Sequence, residues 1–221
     1  VDYYALEAED LEIERRIKFR RTVQHLRAVM PEAQFARAVA GVSYRGWYYG
    51  DLDAYVTDEL DAQIEAEYAD EMGTLNTLYR TASFTRDDLA ATLSPKADLI
   101  VVDHLHYVDA PTDAESENRS MKELIQAIRN RALGIRVPVI AIAHLRKKQA
   151  GAAIVPQSDD FHGSSELTKT VTQTIVLAPA WTKQANAPHL WNTYAAVRKD
   201  RMDGAKPWIG LITYNTHTGR Y

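Results

Sequence analysis

An aspartate stands directly after a short apolar run in the middle of the chain, where Leu99 to Val102 lead without interruption into Asp103. Such a run is typical of a strand that is buried on both faces of a parallel sheet. Open α/β sheets bind their ligands at the carboxyl ends of strands, so a carboxylate here could hold Mg²⁺ against phosphates. A central strand that ends in a turn-forming aspartate explains the same residues without any chemistry.

Two further predicted strands end in groups that could act on a phosphate. Glu7 follows the segment from Val1 to Leu6 and could orient or deprotonate an attacking water molecule. The alternative for Glu7 is an acid that complements a helix dipole. His144 follows the segment from Val137 to Ile142, which we predict to be a fully buried strand, and it could donate a hydrogen bond to a phosphate oxygen. The alternative for His144 is a buried histidine that is satisfied by the backbone.

Cations occur in two places where they could meet phosphates. Lys199 and Arg201 are two positions apart, so on a strand they share one face, and a phosphate from another subunit would relieve their mutual repulsion. Exposed hairpin charge next to Asp200 is the simpler explanation. A cluster of three consecutive cations could neutralise a nucleic-acid backbone, although a solvated charge run is the commoner explanation: Arg146, Lys147 and Lys148.

The composition narrows the class of protein. A chain of 221 residues suits one large domain, and we predict a single domain over 1–221. The net charge of −4 gives no global basic field, so any contact with nucleic acid must be local. The absence of cysteine excludes disulfides, thiolate metal sites and a cysteine nucleophile. The sequence has neither a membrane-spanning apolar run nor a signal peptide at its start, so we expect a cytoplasmic protein.

Apolar spacing and turn residues predict alternating strands and helices. Strands are predicted at Val1–Leu6, Leu75–Arg80, Leu99–Val102, Val137–Ile142, Thr174–Leu177, Tyr194–Arg198 and Trp208–Tyr214. Helices are predicted from Glu9 to Val29, through Leu52 to Tyr68, after a capping box of Thr85 and Asp88, and through Met121 to Ile128 with a stop at Gly134. The glycine-punctuated segment from Gly41 to Gly50 is predicted to be a turn or loop. This order indicates an α/β fold with a mostly parallel sheet, helices on both faces and a C-terminal β-hairpin.

One expected element is missing from these residues, because no segment has the form G-x-x-x-x-G-K-[ST]. The backbone of that loop, called Walker A, cradles the phosphates of a bound nucleotide. Either the loop lies upstream of Val1 in the natural protein, or the protein does not hydrolyse nucleotides.

Five stretches, in this order, resemble the RecA-like motor domain of hexameric replicative DNA helicases, which include bacterial DnaB, mitochondrial Twinkle and the phage primase–helicases. They are Tyr3–Glu7, Leu99–Leu105, Val137–Leu145, Asp160–Leu167 and Val197–Gly204. The resemblance covers nearly the whole chain and is closest to the phage type. The plasmid RepA-type helicases are a close alternative, because they also carry a Gly-Ser-Ser run at the fourth stretch.

The resemblance implies a RecA-like fold and ATP-dependent movement along single-stranded DNA, with ATP or another NTP and Mg²⁺ as cofactors. It implies that Glu7 is the catalytic base, Asp103 the metal-binding Walker B aspartate and His144 the phosphate sensor. It implies that Lys199 and Arg201 reach the nucleotide of the neighbouring subunit. The family pattern places the Walker A loop one helix before Val1.

The resemblance also implies a DNA-binding loop, formed by His162, Gly163, Ser164 and Ser165, with the basic cluster Arg146–Lys148 as a second contact. The loop lacks the arginine of the usual Arg-Glu-Ser-Gly form. The expected partners are single-stranded DNA, other copies of the chain in a hexamer, and a primase domain or primase protein. A phage-encoded protein would act in the host cytoplasm.

Two other classes of function stay open. The chain could be a RecA-like DNA-binding or assembly subunit that lacks turnover. It could also be a RecA-like recombinase or an ATPase of the circadian-clock type, which shares the sheet but lacks the Lys199–Arg201 pair in this context. A glycine-rich Lys-Ser or Lys-Thr loop upstream would favour the motor.

Overall fold

The computed structural model describes residues 1–40, 42–109, 116–144, 169–180, 190–201, 204 and 208–215. The helices are α1 (Glu12–Val29), α2 (Glu32–Val39), α3 (Tyr44–Tyr48), α4 (Asp58–Met72), α5 (Arg86–Thr92) and α6 (Ser116–Ile135). The strands are β1 (Asp2–Ala5), β2 (Asn76–Tyr79), β3 (Ile100–Asp103), β4 (Val139–Ala141), β5 (Gln173–Pro179), β6 (Leu190–Asp200) and β7 (Trp208–Asn215). Among these described helices, none combines the length and the apolar character needed to cross a lipid bilayer.

Two sheets organise the chain. The first has the order β2-β1-β3-β4 and is parallel throughout, with Ala5 beside Asp103 and Val102 beside Ala141. The second has the order β5-β6-β7. Arg201 N–H donates to the Thr172 carbonyl, and the hydrogen bond from Ala180 to Asn192 lies at the other end of β5, so β5 and β6 run antiparallel. The predicted α/β class with a parallel sheet and a closing hairpin is confirmed.

The described residues cluster into two compact units. The sheet unit contains residues from Val1–Ala8, Asn76–Ala178 and Tyr194–Leu211, and the helix unit contains residues from Glu9–Leu75, Pro179–Thr193 and Ile212–Tyr221. Each unit has a hydrophobic core of its own. The single domain over 1–221 stays a prediction.

In the sheet unit, α5 and α6 pack on one face of the parallel sheet. Tyr4, Ile100 and Leu89 belong to this core and are at most 1% exposed. Burying a leucine or isoleucine completely contributes about 1.5–3 kcal/mol, so this contact holds the strands in place. The predicted capping box is confirmed, because Asp88 N–H donates to Thr85 Oγ1 at 3.3 Å and Thr85 N–H donates to Asp88 Oδ2 at 2.8 Å.

The prediction that Val137 to Ile142 forms a fully buried strand is wrong on two counts. The strand is shorter, and it is the edge strand of its sheet among the described strands. Val139 and Ala141 pack against the core, but Ile140 and Ile142 are 52% and 39% exposed. A run of apolar residues requires cover on both faces to be buried throughout, and the described residues cover one face of β4.

In the helix unit, the segment from Gly41 to Gly50 is not simply a turn or loop, because it contains α3. Ser43 caps this helix by accepting a hydrogen bond from an N–H of its first turn. Tyr44 and Trp47, three positions apart, pack against Phe19 of α1 with ring centroids 6.1 and 5.6 Å away. Packing against α1 therefore outweighs the glycines as a determinant of local structure.

Two helix boundaries also differ from prediction. The repeat from Leu52 to Tyr68 is not one helix, because α4 begins only after Thr57, whose side chain accepts from Leu60 N–H. Leu52 still joins the core of the helix unit from the preceding turn. At the end of α6, Gly134 lies inside the helix, and Arg136 has the positive φ of 60° instead.

The acidic face of α4, predicted to be solvated, forms ion pairs with α1. Glu71 pairs with Arg20 and Arg21 at 2.8 Å each, and His25 Nε2 lies 3.1 Å from Glu67. These pairs are partly exposed, so each contributes at most about 1 kcal/mol.

Candidate functional site

Glu7, Asp103 and His144 lie at one edge of the parallel sheet. They follow or end β1, β3 and β4, and parallel strands bring their carboxyl ends to the same edge. Backbone hydrogen bonds extend the pairing past the strands, with Leu6 N–H donating to the Asp103 carbonyl at 2.7 Å and Leu105 N–H donating to the Ile142 carbonyl at 3.0 Å. The positions of the three side chains are therefore fixed by the sheet itself.

His104 links these side chains, and the sequence analysis missed it. Its ring is 2% exposed, and its Nδ1 lies 2.9 Å from Glu7 Oε2. This distance suits a hydrogen bond, but the ring N–H does not point at the oxygen, so Nδ1 has no hydrogen bond of acceptable geometry. The His144 ring lies 3.9 Å away between centroids, at 33°. The repeat Asp103-His-Leu-His106 was the available signal.

Burial keeps the His104 ring neutral near neutral pH. Burial lowers the pKa of His104, and neighbouring His144 lowers it further, while Glu7 and Asp103 act in the opposite direction. A neutral imidazole has one nitrogen that donates and one that accepts. His104 can therefore hold a proton on one side while it offers a lone pair on the other.

Asp103 receives one hydrogen bond from a neighbouring strand. The Tyr3 hydroxyl donates to Asp103 Oδ2 at 2.6 Å. Burial raises the pKa of Tyr3, and the hydrogen bond to Asp103 raises it further, so the phenol stays protonated and remains a donor. Asp103 Oδ1 lies 4.0 Å from His104 Nδ1, and no lysine or arginine of the described residues forms an ion pair with Asp103 or Glu7. A carboxylate oxygen of this kind fits Mg²⁺, which prefers oxygen ligands.

Lys199 and Arg201 lie together on the second sheet and its end. Both donate to the carbonyl of Lys169, Lys199 Nζ at 3.0 Å. Arg129 of α6 donates to the next carbonyl, that of Thr170. Burial lowers the pKa of Lys199, and the nearby charges of Arg201 and then Arg129 lower it further.

These three cations form a positive cluster whose charges repel one another. The shared face expected from the spacing of Lys199 and Arg201 is present, since both side chains reach one carbonyl. Arg129 was missed by the sequence analysis, because α6 lies far away in the sequence. An anion that entered this cluster would relieve the repulsion.

The predicted DNA contacts lie outside the described residues. These are the basic cluster Arg146, Lys147 and Lys148 and the loop residues His162, Gly163, Ser164 and Ser165. They stay predictions.

The comparisons with known proteins rest on structure. No family model and no curated protein matches this sequence. Among solved structures, the chain is similar to an isolated ATPase domain, with a TM-score of 0.66 and 13% identity over 98% of this chain and 72% of that one. It is also similar to a DnaB-like replicative helicase whose interactions with primase were studied, with a TM-score of 0.65 and 13% identity over 97% of this chain and 48% of that one.

The chain has the RecA-like fold of helicase motor domains. At 13% identity, the likeness shows the fold alone. The strands that resembled the family in sequence therefore occupy the expected architecture, and the roles of the residues at their ends stay predictions.

Proposed function

We propose that this chain is the larger part of the motor domain of an ATP-dependent replicative DNA helicase, which couples hydrolysis of a nucleoside triphosphate to movement along single-stranded DNA. The observation that carries the proposal is the meeting of Glu7, Asp103 and His144 at the carboxyl edge of a sheet with a helicase ATPase fold. Open α/β sheets bind their ligands at this edge.

Each group at this edge has a role that its chemistry supports. Glu7, half exposed, accepts the proton of the attacking water. Asp103 would hold Mg²⁺, which supplies charge neutralisation for the phosphates. His144 donates a hydrogen bond toward the terminal phosphate, and its ring contact with His104 holds it beside Glu7. Tyr3 orients Asp103 through its hydrogen bond.

The positive cluster serves the nucleotide of a neighbouring subunit. Arg201 and Lys199 would stabilise the charge that develops on the transferring phosphate, as an arginine finger does. The proposal therefore requires an oligomer, and a hexameric ring closes such head-to-tail contacts. Single-stranded DNA would pass through the ring, held by the loop at 162–165 and the basic cluster at 146–148.

The wider setting follows from the same proposal. The Walker A loop would be supplied by a segment upstream of Val1, and a primase domain or a separate primase would supply primers. The DnaB-like helicase that resembles this chain was studied together with primase. A phage-encoded helicase of this kind would work in the cytoplasm of its host.

One observation favours a second candidate, a RecA-like DNA-binding or assembly subunit without turnover. The 221 residues contain no G-x-x-x-x-G-K-[ST] segment, so they do not cradle a nucleotide by themselves. Such a subunit would bind single-stranded DNA and assemble, but it would release no phosphate.

The test measures DNA-stimulated ATP hydrolysis by the full-length natural protein and by its Arg201→Ala variant. Loss of an arginine finger typically lowers turnover by about 10³–10⁵-fold, and we expect a loss in that range. Arg198→Ala is the matched control, because adjacent residues of a strand point to opposite faces, and it should retain turnover.

A mixing experiment decides whether Arg201 acts on a neighbour. In rings that combine Arg201→Ala subunits with Glu7→Gln subunits, some interfaces join an intact arginine to an intact glutamate. We expect these mixed rings to recover part of the activity that each pure variant lacks. No recovery would contradict the role of Arg201 in a neighbouring site. No hydrolysis by the natural protein would favour the second candidate.

A further inference from the structure

Two imidazoles and a carboxylate meet in the sheet unit. One possible ligand atom from each of Glu7, His104 and His144 lies within 4.8 Å of the other two, and this is the only such group of three among the described residues. Zinc sites often use histidine nitrogen and glutamate oxygen, at about 2.0–2.2 Å from the ion. Around a tetrahedral ion such ligand atoms stand roughly 3.3 Å apart, so small rotations of the exposed Glu7 and His144 side chains complete the geometry.

The buried member of the group indicates a ligand independently. His104 is 1% exposed, and its Nδ1 has no hydrogen bond of acceptable geometry although it is directed at Glu7 from 2.9 Å. Buried polar atoms in folded proteins almost always have a partner. A metal ion between Nδ1 and the Glu7 oxygen would supply that partner.

We propose that Glu7, His104 and His144 form a binding site for a transition-metal ion of the zinc class, separate from the magnesium ligand Asp103. Imidazole nitrogen suits Zn²⁺, Co²⁺ and Ni²⁺, whereas Mg²⁺ prefers oxygen ligands and keeps its waters. The fourth position is open to water. When occupied, the site holds Glu7 and His144, so the ion inhibits hydrolysis; this consequence rests on the proposed function, whereas the binding itself does not.

The helix unit contains a matched control. His25 and Glu67 form a histidine–carboxylate pair at 3.1 Å, with His25 partly buried, but no third ligand among the described residues completes a group there. If any histidine–carboxylate pair bound the ion, His25→Ala would weaken binding as much as His144→Ala does.

The experiment titrates Co²⁺ into the 221-residue chain without nucleotide and follows the visible absorption of tetrahedral Co²⁺. We expect this absorption to saturate at one Co²⁺ per chain, to disappear when Zn²⁺ is added, and to persist in excess Mg²⁺. Glu7→Gln and His144→Ala should each weaken binding by more than about tenfold, and His25→Ala should leave it unchanged. The exposed His144 carries the test, because truncation of buried His104 also perturbs the core.

Three results would overturn the site: no Co²⁺ absorption, equal binding by His144→Ala and wild type, or displacement by Mg²⁺. Because the titration contains no nucleotide, its failure leaves the hydrolysis proposal standing. Conversely, tight Co²⁺ binding by a natural protein that hydrolyses no ATP would support the metal site and count against the motor.

Discussion

Asp103 and Asp109 stand on either side of one short turn, and their surroundings differ sharply. Asp109 Oδ2 accepts hydrogen bonds from the Ser83 hydroxyl at 2.6 Å and from Phe84 N–H at 2.7 Å, while its Oδ1 accepts from Arg80 at 2.6 Å. Its charge is balanced by the arginine, and both oxygens are occupied. Such a carboxylate fastens β2 and the start of α5 to the turn.

Asp103 has a single donor, the Tyr3 hydroxyl, and its nearest ionisable neighbours are a neutral-leaning imidazole and another acid, Glu7, beyond it. One of its oxygens is left for a ligand. The difference teaches how two aspartates of one segment divide the work: the one with all its donors inside the fold stabilises structure, and the one with unused acceptor capacity serves a site.

Exchanging each aspartate for asparagine breaks the comparison most strongly. In the full-length natural protein, Asp103→Asn should lower ATP hydrolysis by about 10²-fold or more, because metal stabilisation of the transition state is worth several kcal/mol and each factor of ten is about 1.4 kcal/mol. Its melting temperature should hardly change. Asp109→Asn should lower the melting temperature and keep the turnover of the folded protein.

Circular dichroism melts and steady-state hydrolysis, measured on both variants, check this crossed outcome. If Asp109→Asn lost turnover at full stability, or Asp103→Asn melted early at full turnover, the assignment of the two roles would be reversed.

A smaller effect appears in the acid dependence of stability. Hydrogen bonds from the Ser83 hydroxyl and Phe84 N–H, followed by the charge of Arg80, lower the pKa of Asp109 in the folded chain. The unfolded state therefore binds this proton first, so the stabilisation is fully present above the ordinary aspartate pKa of about 3.9 and is lost as the pH falls through the folded pKa.

Urea unfolding at several pH values measures this acid dependence. The difference in unfolding midpoint between wild type and Asp109→Asn should be largest near neutral pH and should shrink below about pH 4. A difference that stayed constant down to strongly acidic pH would show that Asp109 acts without its charge.

Local sequence signals predicted the elements that position the site. The apolar run before Asp103, the turn residues around the strands and the Thr85–Asp88 capping box each depend on neighbours in sequence, and each appears in the structure. Because strand ends of a parallel sheet share an edge, the meeting of Glu7 with Asp103 also followed from the order of elements.

Features that depend on distant partners could not be predicted in this way. His104 matters because Glu7 and His144 surround it, and Arg129 because the carbonyl of Thr170 lies beside it. Helix α3 forms where glycines predicted a loop, since Trp47 packs on α1. The exposure of Ile140 reflects what covers β4, and an apolar run does not contain that information.

The most direct test of the proposed hydrolytic site is single-turnover phosphate release by the full-length protein with Glu7→Gln, in the presence of single-stranded DNA. Glu9→Gln, an exposed acid nearby in sequence, is the control. Removal of a general base lowers rates by about 10²–10⁴-fold, so the account predicts a loss in that range for Glu7→Gln with ATP binding retained, and no loss for Glu9→Gln. Phosphate release by Glu7→Gln at the wild-type rate would contradict it.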